Sequence, residues 1–131
     1  MTLIERINTF ASRVATEIKS LWVSVKTVPT NKQTGTSYTL AISDVGGCVE
    51  MNNASANNVI IPPVSSVNIP VDSMILVRWY GAGQTTIITG DASVIIRNPH
   101  GTAKIYARYG SVSLHHRAQN EWCIEGNLSG A

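Results

Sequence analysis

The side chains that could do acid–base chemistry are spread along this 131-residue chain without a pairing that would make a catalytic site. Glycoside hydrolysis needs two carboxylates flanking the scissile bond, and general acid–base catalysis needs a titratable group within hydrogen-bond reach of the reacting atom. After residue 36 the carboxylates fall on predicted turns and strand ends, and no spacing brings two of them together. They are Asp44, Glu50, Asp72, Asp91, Glu121 and Glu125. The sequence therefore predicts that the chain is not an enzyme.

The sequence also offers few residues that could bind a metal ion. His115 and His116 are adjacent, so on a strand they point to opposite faces and cannot chelate one ion within a chain. With only His100 besides, a metal would need symmetry-related ligands on a trimer axis, and we favour surface or subunit-contact histidines. Cys48 and Cys123 lack the paired spacing of a zinc site and are expected to be buried thiols. We predict no metal and no cofactor.

Motifs for phosphate binding and for an activated serine are missing from the sequence. There is no G-x-S-x-G, no P-loop and no G-x-G-x-x-G. Gly81-Ala82-Gly83 is a lone G-x-G without a following helical pattern, which predicts a β-turn rather than a phosphate cradle.

Two aromatic residues stand where a binding site could use them. Trp79 and Tyr80 end a predicted strand beside the Gly81-Ala82-Gly83 turn. Rings at a loop edge can stack on sugars, so these two are the candidate ligand or receptor contacts. The alternative is that Trp79 belongs to the core or to a subunit interface, as tryptophan in a small β-domain usually does.

The first 22 residues predict an amphipathic helix with a seam for partner helices. Its apolar side chains alternate at spacings of three and four, which is the heptad pattern of a coiled coil. The seam residues are Ile4, Ile7, Ala11, Val14, Ile18 and Leu21. Isoleucine at both seam positions shifts the preference from dimers to trimers, so we predict a homotrimeric coiled coil. The alternatives are a helix packed on its own domain and an interfacial membrane helix, and the polar face lacks the lysine and arginine richness of the latter.

The limits of the helix follow from local signals. Thr2 and Glu5 fit a capping box that begins the helix almost at residue 1. Val23, Val25 and Pro29 are unfavourable for continuing it, so the helical segment is predicted over 1–22. Residues 23–36 have low apolar content and no period, and they are predicted to be a neck linker.

Composition narrows the class of protein. Apolar residues make up 44% and charged residues 14% of the chain, which is typical of a globular protein. The net charge of +2 is spread evenly, so we predict no nucleic-acid partner. Charged residues within the first turns argue against a signal peptide, and no apolar run is long enough to span a membrane. We expect a soluble protein assembled inside a cell.

Residues 37–131 predict a β-rich domain. Short β-branched runs recur with turn residues every ~8 to 12 positions, which is typical of a sandwich or barrel. Clear alternation in residues 104–108 and 111–115 favours half-buried antiparallel strands. No helical pattern interrupts the runs, which argues against βαβ architectures. The predicted fold is an N-terminal helix followed by a compact antiparallel β-sandwich or barrel-like knob.

Residues 38–128 resemble a β-rich module of tailed-bacteriophage and prophage virion proteins of the tail-fibre or head-fibre type. The resemblance is carried by turns and strand ends: Tyr38-Thr39-Leu40-Ala41, Asp44 with Gly46-Gly47, residues 49–57, Ile61-Pro62, residues 65–67, residues 81–87, and Trp122 with Gly126-Asn127-Leu128. It implies a trimeric fibre domain exposed on a virion and assembled in the bacterial cytoplasm.

This resemblance does not cover residues 1–36, whose helix we expect to hold three knobs together and to attach them to the capsid or another virion protein. The expected function is that of a small trimeric head fibre or decoration protein. The alternative is a tail-fibre module that binds a receptor or a host surface glycan.

Overall fold

A computed structural model describes residues 1–130, and for residues 22–26 it describes the backbone alone. Ala131, the last residue of the predicted β-domain, lies outside the described residues. The chain folds as one helix followed by a β-domain of mixed sheets, so the predicted order of helix and β-domain is confirmed.

Helix α1 (Leu3–Lys26) begins at the predicted capping box. The Thr2 hydroxyl accepts a hydrogen bond from the Glu5 N–H at 3.2 Å, and Glu5 Oε2 accepts one from the Thr2 N–H at 2.6 Å. The helix ends four residues later than the predicted limit of 22, with Thr27 extended as its C-cap. Branched residues lower helix propensity only slightly, whereas Pro29 disfavours helical geometry in the residue before it. The proline, not the valines, marks the end.

Nine strands follow among the described residues. They are β1 (Thr30–Gln33), β2 (Ser37–Thr39), β3 (Cys48–Met51), β4 (Asn57–Ile61), β5 (Met74–Trp79), β6 (Thr85–Thr89), β7 (Ile95–Arg97), β8 (Ser111–Ala118) and β9 (Glu121–Gly126). A short 3-10 turn covers Ile42–Asp44. Strand β1 falls within residues 23–36, so part of the predicted neck linker belongs to the β-domain.

The first six strands form three successive coils of the chain that stack on one another. They are called the first, second and third turns and consist of β1 and β2, of β3 and β4, and of β5 and β6. Each turn places one strand in a six-stranded sheet of order β1-β3-β5-β8-β9-β7 and the next in a three-stranded sheet of order β2-β4-β6. Neighbouring strands of successive turns are parallel, with Gln33 beside Met51 and Met51 beside Trp79. The predicted antiparallel arrangement of the β-domain is therefore wrong for these six strands. Parallel neighbours need a long crossover, and here each crossover runs through the opposite sheet instead of through a helix.

The rest of the large sheet contains both kinds of pairing, and residues 111–115 lie in an antiparallel strand, as predicted. Strand β8 pairs antiparallel with both β5 and β9, and β7 joins β9 in parallel. Residues 104–108, predicted to be a strand, make only two isolated bridges, through Lys104 and Ile105.

The core lies between the two sheets. Inward-facing residues of the second and third turns are fully buried: Val49, Met51, Ile75 and Val77 from the large sheet, and Val59, Ile61 and Ile87 from the small one. Burying an aliphatic side chain of this size contributes about 1.5–3 kcal/mol to the free energy of unfolding. These buried residues therefore hold the second and third turns together.

The first turn carries polar residues where the other turns carry aliphatic ones. Asn31 lies beside Val49, Gln33 beside Met51, and Tyr38 beside Val59. Both strands of this turn are edge strands of their sheets. The terminal unit of a repeating stack has no neighbour on one side and needs polar residues towards solvent there. The first turn is such a terminal unit, and these polar residues meet that need.

Candidate functional site

The apolar seam of α1 is exposed. The exposed fractions are 71% for Ile4, 56% for Ile7, 37% for Val14, 60% for Ile18 and 67% for Leu21. Every described side chain of residues 1–21 is exposed, including Ala11. An apolar stripe on a helix normally packs against something, so this face is suited to assembly.

The stripe is wider than the seam. Leu3 and Phe10 flank it and are 73% and 67% exposed. At about 1.5 Å per residue the 24-residue helix is about 36 Å long, enough for three heptads of contact. No helix of the described residues is long and apolar enough to cross a membrane.

The structure separates the two predicted ligand contacts. Trp79 is half-buried against the core, and its indole N–H donates to the Gly81 carbonyl at 2.9 Å. Tyr80 is 44% exposed and forms an edge-to-face pair with Tyr109, with ring centroids 5.4 Å apart and planes at 71°. Tyr109 is 60% exposed. Tyr80 therefore belongs to a surface site in which Trp79 acts as support.

Arg108 completes this site. Its Nε–H donates to the Tyr80 carbonyl at 2.9 Å, and its guanidinium carbon lies 4.9 Å from the centre of the Tyr109 ring. The guanidinium is thus held by a hydrogen bond to the Tyr80 backbone and by a cation–π contact with the Tyr109 ring. We call Tyr80, Arg108 and Tyr109 the aromatic cluster.

Tyr80 is positioned by the close stacking of two chain turns. Both its N–H and that of Gly81 donate to the Met51 carbonyl, at 2.9 and 3.2 Å. A Cβ on Gly81 would fall on backbone atoms of Asn53, and one on Gly83 would fall on those of Ser55. Glycine is required here because only a residue without a side chain allows the backbones to approach this closely.

Tyr109 is held by the neighbouring loop. Its N–H donates to the Trp79 carbonyl at 2.7 Å, and the Trp79 N–H donates to the Gly110 carbonyl at 3.0 Å. The side-chain carbonyl of Asn127 accepts from the Ala107 N–H at 3.0 Å and pins the start of the same loop. The loop therefore fixes Arg108 and Tyr109 relative to Tyr80.

The sequence did not single out Arg108 and Tyr109. Residues 104–108 alternate as a strand would, and this pattern hid the loop that begins there. The available signal was the concentration of Tyr106, Arg108 and Tyr109 directly before Gly110.

The histidines do not gather into a metal centre. His115 and His116 lie on opposite faces of β8, as predicted. His116 is buried, stacks on Trp122 with ring centroids 4.4 Å apart, and has its Nδ1 3.0 Å from the Pro70 carbonyl oxygen. Among the described residues no three histidine, cysteine or carboxylate side chains are placed to hold a metal ion.

The two cysteines are free thiols. Cys48 is buried, as predicted, and burial raises the pKa of its thiol. Cys123 is only partly buried and lies beside His115 in the register of β8 and β9.

Comparison with protein-family models, with curated proteins and with solved structures gave no match to this chain. The resemblance to virion fibre modules therefore stays a prediction.

Proposed function

We propose that this chain assembles as a homotrimer through α1 and carries its β-domains as knobs on a three-helix stalk. The observation that supports the proposal most directly is the exposure of the seam from Ile4 to Leu21 on an otherwise solvated helix. Burial of those side chains against partner helices would remove the largest run of exposed apolar residues from water.

The choice of three chains rests on side-chain shape. The seam consists of two alternating heptad positions. Ile4 and Ile18 occupy one of them, and Ile7 occupies the other. Branched residues at both positions pack poorly between two helices and better among three or more.

The biological setting that we propose is a bacteriophage particle, with the trimer as a small head fibre or decoration protein. Support comes from the resemblance of residues 38–128 to virion fibre modules. Leu3 and Phe10 add to it, since they widen the apolar face beyond one seam and offer a surface for a capsid or other virion protein. The alternative is a tail-fibre module for host attachment, and the exposed aromatic cluster favours it.

Sedimentation equilibrium tests the assembly. We expect three times the 14.1 kDa of one chain. Ile18→Asp would bury three carboxylates near one axis, which costs several kcal/mol per ion, and should give a monomer with an intact β-domain. Thr16→Asp is the matched control. It adds the same charge two residues away, on the face of the helix opposite to the seam, and should leave the trimer intact.

A wild-type monomer, or a trimer that survives Ile18→Asp, would contradict the assembly proposal. The virion assignment has its own test. Electron micrographs of phage particles made with and without the gene should differ in head projections, and identical heads would count against a head fibre.

A further inference from the structure

The backbone of Tyr109 adopts a conformation that its side chain does not favour. Three described residues other than glycine have positive φ: Asp72 at 70°, Tyr109 at 71° and Asn120 at 57°. Aspartate and asparagine are the usual non-glycine residues in this region, because their short polar side chains bond locally. A tyrosine gains no such bond. Strained residues concentrate at functional sites, and this one is more than half exposed.

The Arg108 guanidinium is held in a fixed orientation, and its charge is not paired with a carboxylate among the described residues. Its Nε–H donates to the Tyr80 carbonyl, and one face of the guanidinium contacts the Tyr109 ring. The two terminal amino groups keep their donors for a ligand. A guanidinium held in this way binds a carboxylate through two parallel hydrogen bonds.

The Tyr109 ring lies beside this guanidinium, and the Tyr80 ring packs against that of Tyr109. Tyr80 and Tyr109 remain 44% and 60% exposed in their edge-to-face pair. The electron-rich faces of such rings attract the partly positive C–H groups of a sugar. Tyrosine also loses little conformational entropy on binding, which suits a small rigid site.

We propose that the aromatic cluster binds an acidic sugar, a pyranose whose ring packs on Tyr80 and Tyr109 and whose carboxylate pairs with Arg108. Arg108 is the one cation among the three residues of the cluster, and its two terminal amino groups match the two oxygens of a carboxylate. The proposal deepens the alternative function of host attachment by naming the ligand class, and it does not depend on the trimer.

Titration of the full chain with methyl glucuronide, methyl glucoside and acetate, followed by NMR, tests the proposal. We expect signals of Tyr80, Arg108 and Tyr109 to shift with the glucuronide, and binding of the other two to be at least about ten-fold weaker, the equivalent of one lost interaction of about 1.4 kcal/mol. Equal binding of acetate, equal binding of the glucoside, or no shift with any of the three would overturn it.

Variants separate binding from folding. Tyr109→Gly relieves the positive φ, which offsets the loss of the contacts with Tyr80 and Arg108, so the melting temperature should change little while binding is abolished. Arg108→Lys keeps the charge but loses the fork, and binding should fall about ten-fold. Tyr106→Ala removes another exposed tyrosine of the same loop and is the control that should bind normally.

Full binding by Tyr109→Gly would overturn the proposal. Because the cluster lies within one β-domain, Ile18→Asp should bind as the wild type does. Failure of trimerisation and failure of sugar binding are thus separate results.

Discussion

The phenol of Tyr38 donates a 2.7 Å hydrogen bond to the buried carboxylate of Asp44 and thereby closes the first turn of the stack. The same Asp44 oxygen accepts from the Ala41 N–H at 2.8 Å, and its other oxygen accepts from the Asn31 amide at 3.0 Å. Gln33 in turn donates to Asn31. The polar residues that replace aliphatic ones in this turn are therefore bonded to one another, which is what buried polar groups require.

Alkaline titration should reveal this network. Burial, and then the hydrogen bond and charge of Asp44, raise the pKa of Tyr38 to about 12 from the ordinary 10. A raised pKa means that the folded state favours the neutral phenol. The resulting stability is complete below pH 10 and is lost as the pH rises through 12.

Tyr38→Phe should lower the free energy of unfolding by about 1 kcal/mol near neutral pH and remove this dependence. Urea unfolding at pH values below 10 and near 12, with tyrosinate absorbance recorded alongside, checks both effects. Equal pH dependence in the two proteins would contradict the role given to Tyr38.

Gly83→Ala should destabilise the β-domain by about 3 kcal/mol, because the new methyl group would force two stacked turns apart and a packed structure cannot absorb this cheaply. Gly35→Ala is the matched control. Gly35 lies in the corresponding turn of the first strand pair, where a Cβ would meet only the Ser37 carbonyl oxygen at an ordinary 3.7 Å. Urea unfolding should place Gly35→Ala within about 0.5 kcal/mol of wild type. Similar losses for both variants would mean that stacking distance is not the cause.

The sequence was informative wherever the deciding contact is local. Thr2 and Glu5 are three residues apart, and their capping box could be read directly. The opposite orientations of His115 and His116 follow from the two-residue period of a strand and needed no knowledge of the fold.

Pairing between distant strands was beyond the same reasoning. One buried and one exposed face favours antiparallel pairing, but the two-residue period is the same in parallel strands, so alternation does not fix the partner strand or its direction. Strand β1 was missed because its inward residues, Asn31 and Gln33, are polar and break the apolar pattern. Of the three residues of the aromatic cluster, the sequence singled out only Tyr80, because it adjoins a visible turn. Tyr109 reaches Tyr80 only through the tertiary pairing of Trp79 with Gly110.

Truncating His116 should show that its ring is part of the core. The ring stacks on Trp122 with planes within 6°, and its Nε2 is buried without a hydrogen-bond partner among the described residues. His116→Ala leaves a cavity and should reduce the free energy of unfolding by about 3 kcal/mol. His116→Phe keeps an aromatic ring on Trp122 and loses only the bond to Pro70, so its loss should be about 1 kcal/mol. His115→Ala, on the outer face, is the control and should be nearly neutral by urea unfolding. If His116→Phe is as damaging as His116→Ala, the polar contact rather than the ring stabilises this site.

Asn57 joins the second and third turns through a buried amide, and its replacement should be among the most damaging single-atom changes in the domain. Its Nδ2 donates to the carbonyls of Ser55 and Gly83, each at 3.1 Å, and its Oδ1 accepts from the Thr85 hydroxyl at 2.6 Å. Asn57→Asp keeps the shape but turns a carboxylate oxygen towards two carbonyl oxygens. An unpaired buried charge costs several kcal/mol, so we expect a loss of about 3 kcal/mol or more near neutral pH.

The penalty of Asn57→Asp should shrink in acid, because the neutral carboxylic acid can donate to one of the two carbonyls. Asn58→Asp is the matched control: the neighbouring residue is half-buried on the outer side of the same strand and should change stability little. Urea unfolding across the acid range measures both. A loss that is equal for the two variants, or that does not decrease in acid, would show that the amide of Asn57 does not act as the donor joining the turns.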